Sequence, residues 1–133
     1  MIGIVIVTHS QLGDALIEAT EFIIGKRPEA LVSVSIDLNE SADVLRAKIS
    51  EGIKSVSSED GVLILTDMFG GTPSNISLPL LAEGEVEVLT GVNLPMILSF
   101  FNAKPDISLA ELVLSLRAAG EEGIVLPSAL LAE

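Results

Sequence analysis

The sequence contains no cysteine, tyrosine or tryptophan and only one histidine, His9, in 133 residues. Without cysteine the chain has no disulfide, no thiol nucleophile and no thiolate ligand for zinc or an iron–sulfur cluster. A single histidine is too few for a histidine-rich metal site, and four phenylalanines are the only aromatic rings that could stack on a base or flavin. These absences exclude thiol, zinc-thiolate and iron–sulfur chemistry.

Basic residues are scarce as well. Seven lysines and arginines face 19 aspartates and glutamates, which gives a formal net charge of −12 at pH 7. This charge repels phosphate backbones and anionic lipid, so it argues against nucleic-acid or membrane-surface binding and favours a basic protein partner. The apolar residues 2–7 follow no basic segment and are too few for a signal peptide or a membrane span. We therefore expect a cytoplasmic domain.

The chain does have enough apolar residues for one domain, since 49% of its residues are hydrophobic. Apolar runs of strand length, at residues 2–7, 31–36, 61–66, 85–89 and 123–126, alternate with stretches of helical period. Strands that are apolar on both faces are typical of a parallel sheet covered by helices on both sides. The pattern predicts one α/β domain over residues 1–133: a doubly wound three-layer sandwich with a mainly parallel sheet, whose last short strand, 123–126, lies at an edge. Alternating glutamates place strand 85–89 at an edge too.

The third predicted helix has a clear start signal and contains a proline. Thr72 is predicted to be its N-cap and Pro73 its first residue. Pro79 lies six residues further on, where a proline removes one helical hydrogen bond and clashes with the carbonyl four residues earlier. We expect this helix to bend at Pro79 and to continue to residue 82.

Polar side chains follow two strands of the predicted sheet. In doubly wound folds the functional site lies beyond the carboxyl ends of the strands, where loops 8–10, 67–73 and 90–93 should meet. His9 and Asp67 both lie there, which suggests an imidazole with one nitrogen held by a carboxylate. The structural alternatives are a histidine bonded to a backbone carbonyl and an aspartate that caps a turn.

The loop after the third predicted strand is suited to an anion. Gly70 and Gly71 leave the backbone open to a ligand, and Thr72 adds a hydroxyl at the start of a helix. Ser10 and Ser74 are further candidates for binding a phosphoryl group. No lysine or arginine lies in the three loops, so such a group would be held by N–H groups and hydroxyls. The structural alternative is a glycine turn before an ordinary N-cap.

Several enzyme classes lack their motifs in this chain. The nucleotide-binding patterns G-x-x-x-x-G-K-[ST] and G-x-G-x-x-G are absent, and so is the nucleophile elbow G-x-S-x-G. A receiver domain phosphorylated on aspartate would need acidic residues where this chain has Thr8, His9 and Ser10. A triad of His9, Asp67 and Ser10 or Ser74 is a weaker alternative. A histidine that itself carries a phosphoryl group fits these residues better.

Three motifs in the correct order resemble one known family. The opening strand with Thr8, His9 and Ser10, the segment 67–75 and the segment 91–96 are similar to the IIA component of the mannose-type bacterial sugar phosphotransferase system. The resemblance covers nearly the whole chain. A related branch, which serves dihydroxyacetone kinase, lacks the Gly-Gly-Thr-Pro stretch in its loop, so the resemblance favours the sugar-transport type.

The resemblance implies a phosphotransferase that needs no metal or organic cofactor. By similarity, His9 is the phosphorylated residue, Asp67 is its hydrogen-bond partner, and the hydroxyl of Thr72 lies beside the phosphoryl group near Gly70 and Gly71. The donor would be the histidine phosphocarrier protein HPr and the acceptor a IIB component that serves sugar uptake. The family pairs subunits through the last strand, so a homodimer is expected. Regulatory phosphocarriers and receiver-like binding modules remain alternatives, and neither the sugar nor a membrane transporter can be named from the sequence.

Overall fold

Strands and helices alternate along the chain. The computed structural model describes residues 1–82 and 84–132. The elements, in order, are β1 (Gly3–His9), α1 (Leu12–Ile24), β2 (Leu31–Ile36), α2 (Ala42–Val56), β3 (Val62–Thr66), α3 (Thr72–Ser77), β4 (Val86–Thr90), α4 (Leu94–Phe100), α5 (Leu109–Glu122) and α6 (Pro127–Leu131). The α/β class predicted from the sequence is confirmed.

The strands in the described part of the chain form one parallel sheet with the order β2-β1-β3-β4. The edge position predicted for β4 is therefore confirmed. β1 and β3 are central neighbours, with Val7 opposite Thr66, so their carboxyl ends lie side by side. This register brings the residues that follow Val7 and Thr66 to one place.

Apolar residues on both faces of the sheet form two cores. On β1, Ile4 and Ile6 pack into the core that includes residues of α1, α4 and α5. Val5 and Val7 point the other way and pack with residues of α2. The strands are apolar throughout because both faces are covered, which confirms the predicted three-layer sandwich.

The predicted last strand at residues 123–126 is wrong for this chain. Gly123 is the C-cap of α5, and Leu126, whose backbone is extended, is the N-cap of α6. Residues 124–126 pair with no strand among those described. Their β-branched and apolar side chains favour an extended backbone, but a strand also requires a partner, and the side chains of Ile124, Val125 and Leu126 are exposed.

The third helix also differs from the prediction. Its N-cap is Gly71, so Thr72 is its first residue and not its cap. The α-helix ends at Ser77 and Leu78–Leu80 continue as a 3₁₀ turn, so the predicted bent helix to residue 82 is wrong. Ending the α-helix before Pro79 avoids both the missing N–H bond and the clash of the proline ring with the preceding turn.

Candidate functional site

His9 and Asp67 meet at the carboxyl ends of the two central strands. His9 is the last residue of β1, and Asp67 directly follows β3. The ring Nδ1 of His9 lies 2.8 Å from Oδ2 of Asp67, and the backbone N–H of His9 donates to the same oxygen at 3.0 Å. The other oxygen, Oδ1, accepts from the backbone N–H of Met68 at 3.0 Å. Both carboxylate oxygens are therefore engaged, and the ring is held at a defined angle.

The charge state of Asp67 determines which nitrogen of His9 is free. Burial raises the pKa of Asp67, but the hydrogen bonds from the ring and backbone of His9, together with the attraction of that ring, outweigh burial and leave the pKa below its ordinary value. An ionised carboxylate can only accept hydrogen bonds, so the proton of a neutral ring lies on Nδ1. The lone pair of Nε2 is then available, on a side chain that is 40% exposed.

Gly71 lies against the free side of the imidazole. A Cβ atom at this position would lie 2.8 Å from Cε1 and 3.3 Å from Nε2 of His9. The φ angle of Gly71 is −85°, which any residue can adopt. Glycine is therefore required here for space beside the ring and not for backbone conformation. Gly70 is the converse case, since its φ is +86° and a Cβ atom added there would meet no other atom within 4 Å.

Asn75, which sequence reasoning did not single out as a site residue, fixes this loop. Its backbone N–H donates to the carbonyl oxygen of Gly71 at 2.9 Å, and its side-chain Nδ2 donates to that of Gly70 at 3.4 Å. The signal was present in the sequence as an amide residue in the first turn of a helix after two glycines. Asn75 holds the two glycine carbonyls toward the helix.

The remaining predicted phosphoryl-binding residues lie in different surroundings. Ser10 is exposed, has a φ of +51°, and donates its backbone N–H to the carbonyl of Ile36 at 3.0 Å. Thr72 is half-buried at the start of α3. Ser74 is completely buried, and its Oγ has no hydrogen-bond partner in the described chain. The hydroxyl of Ser74 is therefore closed to solvent, while Ser10 and Thr72 are accessible.

The third predicted loop, residues 90–93, lies beside the second, residues 67–73. The N–H groups of Gly91 and Val92 both donate to the carbonyl of Thr66 at 2.9 Å, immediately before Asp67. Asn93 instead caps α4, a helix that the sequence analysis did not predict, through a bond of 3.0 Å to the N–H of Met96. An asparagine followed two residues later by a proline was the signal for this helix.

Two further properties of the described residues bear on function. Within 1–82 and 84–132, no group of three or more histidine, aspartate and glutamate side chains could hold a metal ion. Over the same ranges, every helix is too short or too polar to cross a membrane.

Comparison with known proteins assigns the family. The sequence profile of EIIA-man, described as "PTS system fructose IIA component", matches residues 3–116. The chain belongs to the mannose-type IIA family of the sugar phosphotransferase system. Components of this family are phosphotransferases, and the chain has a phosphocarrier role in sugar uptake.

Individual relatives agree with this assignment. The chain is 31% identical over 123 residues to the fructose-specific EIIA component of Bacillus subtilis, covering 92% of this chain and 84% of that one. It is 32% identical over 125 residues to the mannose-specific EIIAB component of Escherichia coli, covering 92% of this chain but only 38% of that protein. The crystal structure of an EIIA component from Streptococcus agalactiae superposes with a TM-score of 0.85 at 28% identity, covering 97% of this chain and 99% of the other.

Proposed function

We propose that Nε2 of His9 accepts a phosphoryl group from phosphorylated HPr and passes it to a IIB component. The 2.8 Å contact between Nδ1 of His9 and Oδ2 of Asp67 is the observation that carries this proposal. It favours a ring proton on the nitrogen that faces the carboxylate, which leaves the exposed nitrogen with a lone pair for attack. Residues 1–133 act as one IIA domain in this proposal.

The step exchanges one nitrogen–phosphorus bond for another. The Nε2 lone pair attacks the phosphorus of the donor phosphohistidine, its Nε2–P bond forms, and the donor's N–P bond breaks with its electron pair returning to the donor ring. The proton on Nδ1 of His9 stays in place, so the phosphorylated ring bears a positive charge. Asp67 stabilises that charge without taking the proton. The step reverses readily because the donor and the product are both phosphohistidines.

The glycine loop supports this role of His9. Gly71 leaves room beside Cε1 and Nε2, where a phosphoryl group on Nε2 would project. Ser10, Thr72 and the backbone of Gly70 and Gly71 are proposed to bind the phosphoryl oxygens. Ser74 contributes through its backbone N–H in the first turn of α3, since its hydroxyl is buried.

The surface near His9 favours protein partners. Met68 and Phe69, in the loop after β3, are 55% and 73% exposed and offer an apolar contact. The net charge of −12 favours a basic donor and accelerates its association at low salt. The name of the Escherichia coli relative, EIIAB, joins an A and a B component, which supports a IIB acceptor. A cytoplasmic location is proposed together with these partners.

A homodimer belongs to the same proposal. The apolar side chains of Ile124, Val125, Leu126, Leu130 and Leu131 are between 56% and 82% exposed at the end of the chain. Among the described residues, the outer side of β4 pairs with no strand and is bridged only between Val86 and Ala82. Exposed apolar segments and free edges are characteristic of surfaces that pair with another chain. We propose that residues 123–126, which pair with no strand among the described residues of one chain, contribute to the contact between two subunits.

Phosphorylation of a His9→Gln variant tests the central proposal. The wild-type protein, incubated with phosphorylated HPr, should gain one phosphoryl group by intact-mass spectrometry, and that group should be lost in acid. An acyl phosphate on aspartate would instead be lost at alkaline pH. His9→Gln should gain none and should keep the wild-type circular dichroism spectrum, because the side chain is only partly buried. A phosphorylated variant would contradict the proposal.

A further inference from the structure

A cavity lies at the opposite end of the sheet from His9, where the strands begin. It has a volume of about 590 Å³. Its walls come from Met1 and Ile2 before β1, from residues 26–29 before β2, from Asp60 before β3, and from residues between 100 and 107 at the end of α4 and after it. None of these residues takes part in the proposed phosphoryl transfer.

The inner wall of this cavity is apolar and aromatic. Ile2 and Phe100 are 3% and 9% exposed, and Phe101 lies edge-to-face with Phe100 at a centroid distance of 5.2 Å. Two of the four phenylalanines of the chain are therefore at one cavity. The segment is held by backbone bonds from Ala103 to Phe100 at 3.2 Å and from Ile107 to Lys104 at 3.1 Å. The wall is thus formed before any ligand binds.

Basic side chains also line the cavity, although the protein as a whole is acidic. Lys26, Arg27 and Lys104 line it, out of seven lysines and arginines in the whole chain. Of its two carboxylates, Asp60 is occupied by the amino group of Met1 at 2.5 Å. Among the described residues, neither lysine has a carboxylate partner within 4.0 Å. The other carboxylate, Glu29, is a single negative charge against Lys26 and Lys104, so the cavity keeps a net positive charge beside its aromatic wall.

We propose that this cavity binds a small organic anion: an apolar or aromatic body carrying one carboxylate, sulfonate or phosphate group. Its volume lies within the range of about 300–1,000 Å³ that is usual for small-molecule sites. The apolar body would bury surface against Ile2 and Phe100, and the anionic group would lie near Lys26 and Lys104. Because both lysines are exposed to water, the charge contribution is screened and the affinity is modest.

Two dyes that share their rings but differ in charge test this proposal. We choose 8-anilinonaphthalene-1-sulfonate as the anion and N-phenyl-1-naphthylamine as its neutral counterpart. The anion should bind with a dissociation constant below about 1 mM and should shift the amide resonances of residues 26–29 and 100–107. The neutral dye should bind about tenfold more weakly, a difference of about 1.4 kcal/mol.

Charge-reversal variants locate the site. The double variant Lys26→Glu/Lys104→Glu should weaken binding of the anion by about tenfold or more. Lys54→Glu, which reverses an exposed lysine on α2 away from the cavity, is the matched control and should bind as the wild type does. Equal binding of the two dyes, no effect of the double variant, resonance shifts confined to residues 124–131, or no saturable binding would each overturn the proposal.

Discussion

One carboxylate oxygen of Asp67 holds His9 at two points: Oδ2 lies 2.8 Å from the ring Nδ1 and 3.0 Å from the backbone nitrogen of the same residue. The backbone contact fixes the end of β1 against the loop after β3, and the ring contact fixes the imidazole. A rotation of the ring that put Cδ2 in the place of Nδ1 would lose the ring contact. The pair therefore sets both the position and the tautomer of the residue proposed to accept phosphate.

Replacing Asp67 by asparagine should slow phosphoryl transfer. The amide keeps the shape of the side chain but has no charge to stabilise the phosphorylated ring. Loss of a carboxylate that orients a metal-bound histidine costs about 10- to 100-fold, and we expect a fall of that size here in the rate measured by rapid-quench labelling from phosphorylated HPr. Asp60→Asn, at the other end of the sheet, is the control. An unchanged rate in Asp67→Asn would restrict this residue to a role in the turn.

Alanine substitutions at Gly70 and Gly71 distinguish crowding of the His9 ring from strain in the backbone. In Gly71→Ala the added Cβ would lie 2.8 Å from Cε1 of His9, so the ring must move and phosphorylation should be lost or strongly slowed. In Gly70→Ala the added Cβ meets no atom within 4 Å, but the φ of +86° strains the backbone of an alanine. The free energy of unfolding, measured with urea, should therefore fall by about 1–2 kcal/mol. Gly70→Ala should still be phosphorylated. The opposite pattern would show that the loop relaxes away from His9.

The pKa of Asp67 should depend on the side chain of His9. In the wild type the pKa is lowered, so the stabilisation from this carboxylate is present above its unfolded pKa, about 3.8, and is lost as the pH falls through the folded value. His9→Ala removes the ring but leaves the burial that raises the pKa. The carboxyl carbon of Asp67, followed by NMR, should therefore titrate at higher pH in the variant. An equal or lower pKa would mean that His9 does not offset the burial.

The pairing of His9 with Asp67 could be predicted because it follows from local rules. Each residue comes directly after an apolar run of strand length, and the carboxyl ends of neighbouring parallel strands meet at one edge of the sheet. The order of the strands then determines which loops are adjacent, and β1 and β3 are neighbours. Neither step requires knowledge of how side chains pack in detail.

Features that depend on packing or on a partner were not predictable in this way. The space that Gly71 provides beside His9 exists only once β1 and the loop after β3 are assembled. Pro79 could end its helix or bend it, and the outcome was a 3₁₀ turn at Leu78–Leu80. Met96, at the end of the segment 91–96, is 3% exposed in the core. Its place in α4 was missing from the sequence interpretation.

The exposed segment 124–126 gives a prediction about assembly. The wild-type protein should sediment as a dimer, at twice the 13.9 kDa of one chain, because its exposed apolar side chains and the outer edge of β4 would be covered in the pair. The variant Ile124→Asp/Leu126→Asp should sediment as a monomer, since two buried and unpaired carboxylates would oppose the contact. Leu38→Asp, at a side chain that is 81% exposed outside this segment, is the control and should remain dimeric.

The same variant separates assembly from chemistry. His9, Asp67 and Gly71 all come from β1 and the loop after β3 of one chain, and their contacts need no second subunit. The monomeric variant should therefore still accept a phosphoryl group from phosphorylated HPr, which intact-mass spectrometry would measure. A wild-type protein that sediments only at 13.9 kDa at micromolar concentration would contradict the dimer. A monomeric variant that folds but is not phosphorylated would instead mean that the partner subunit completes the site.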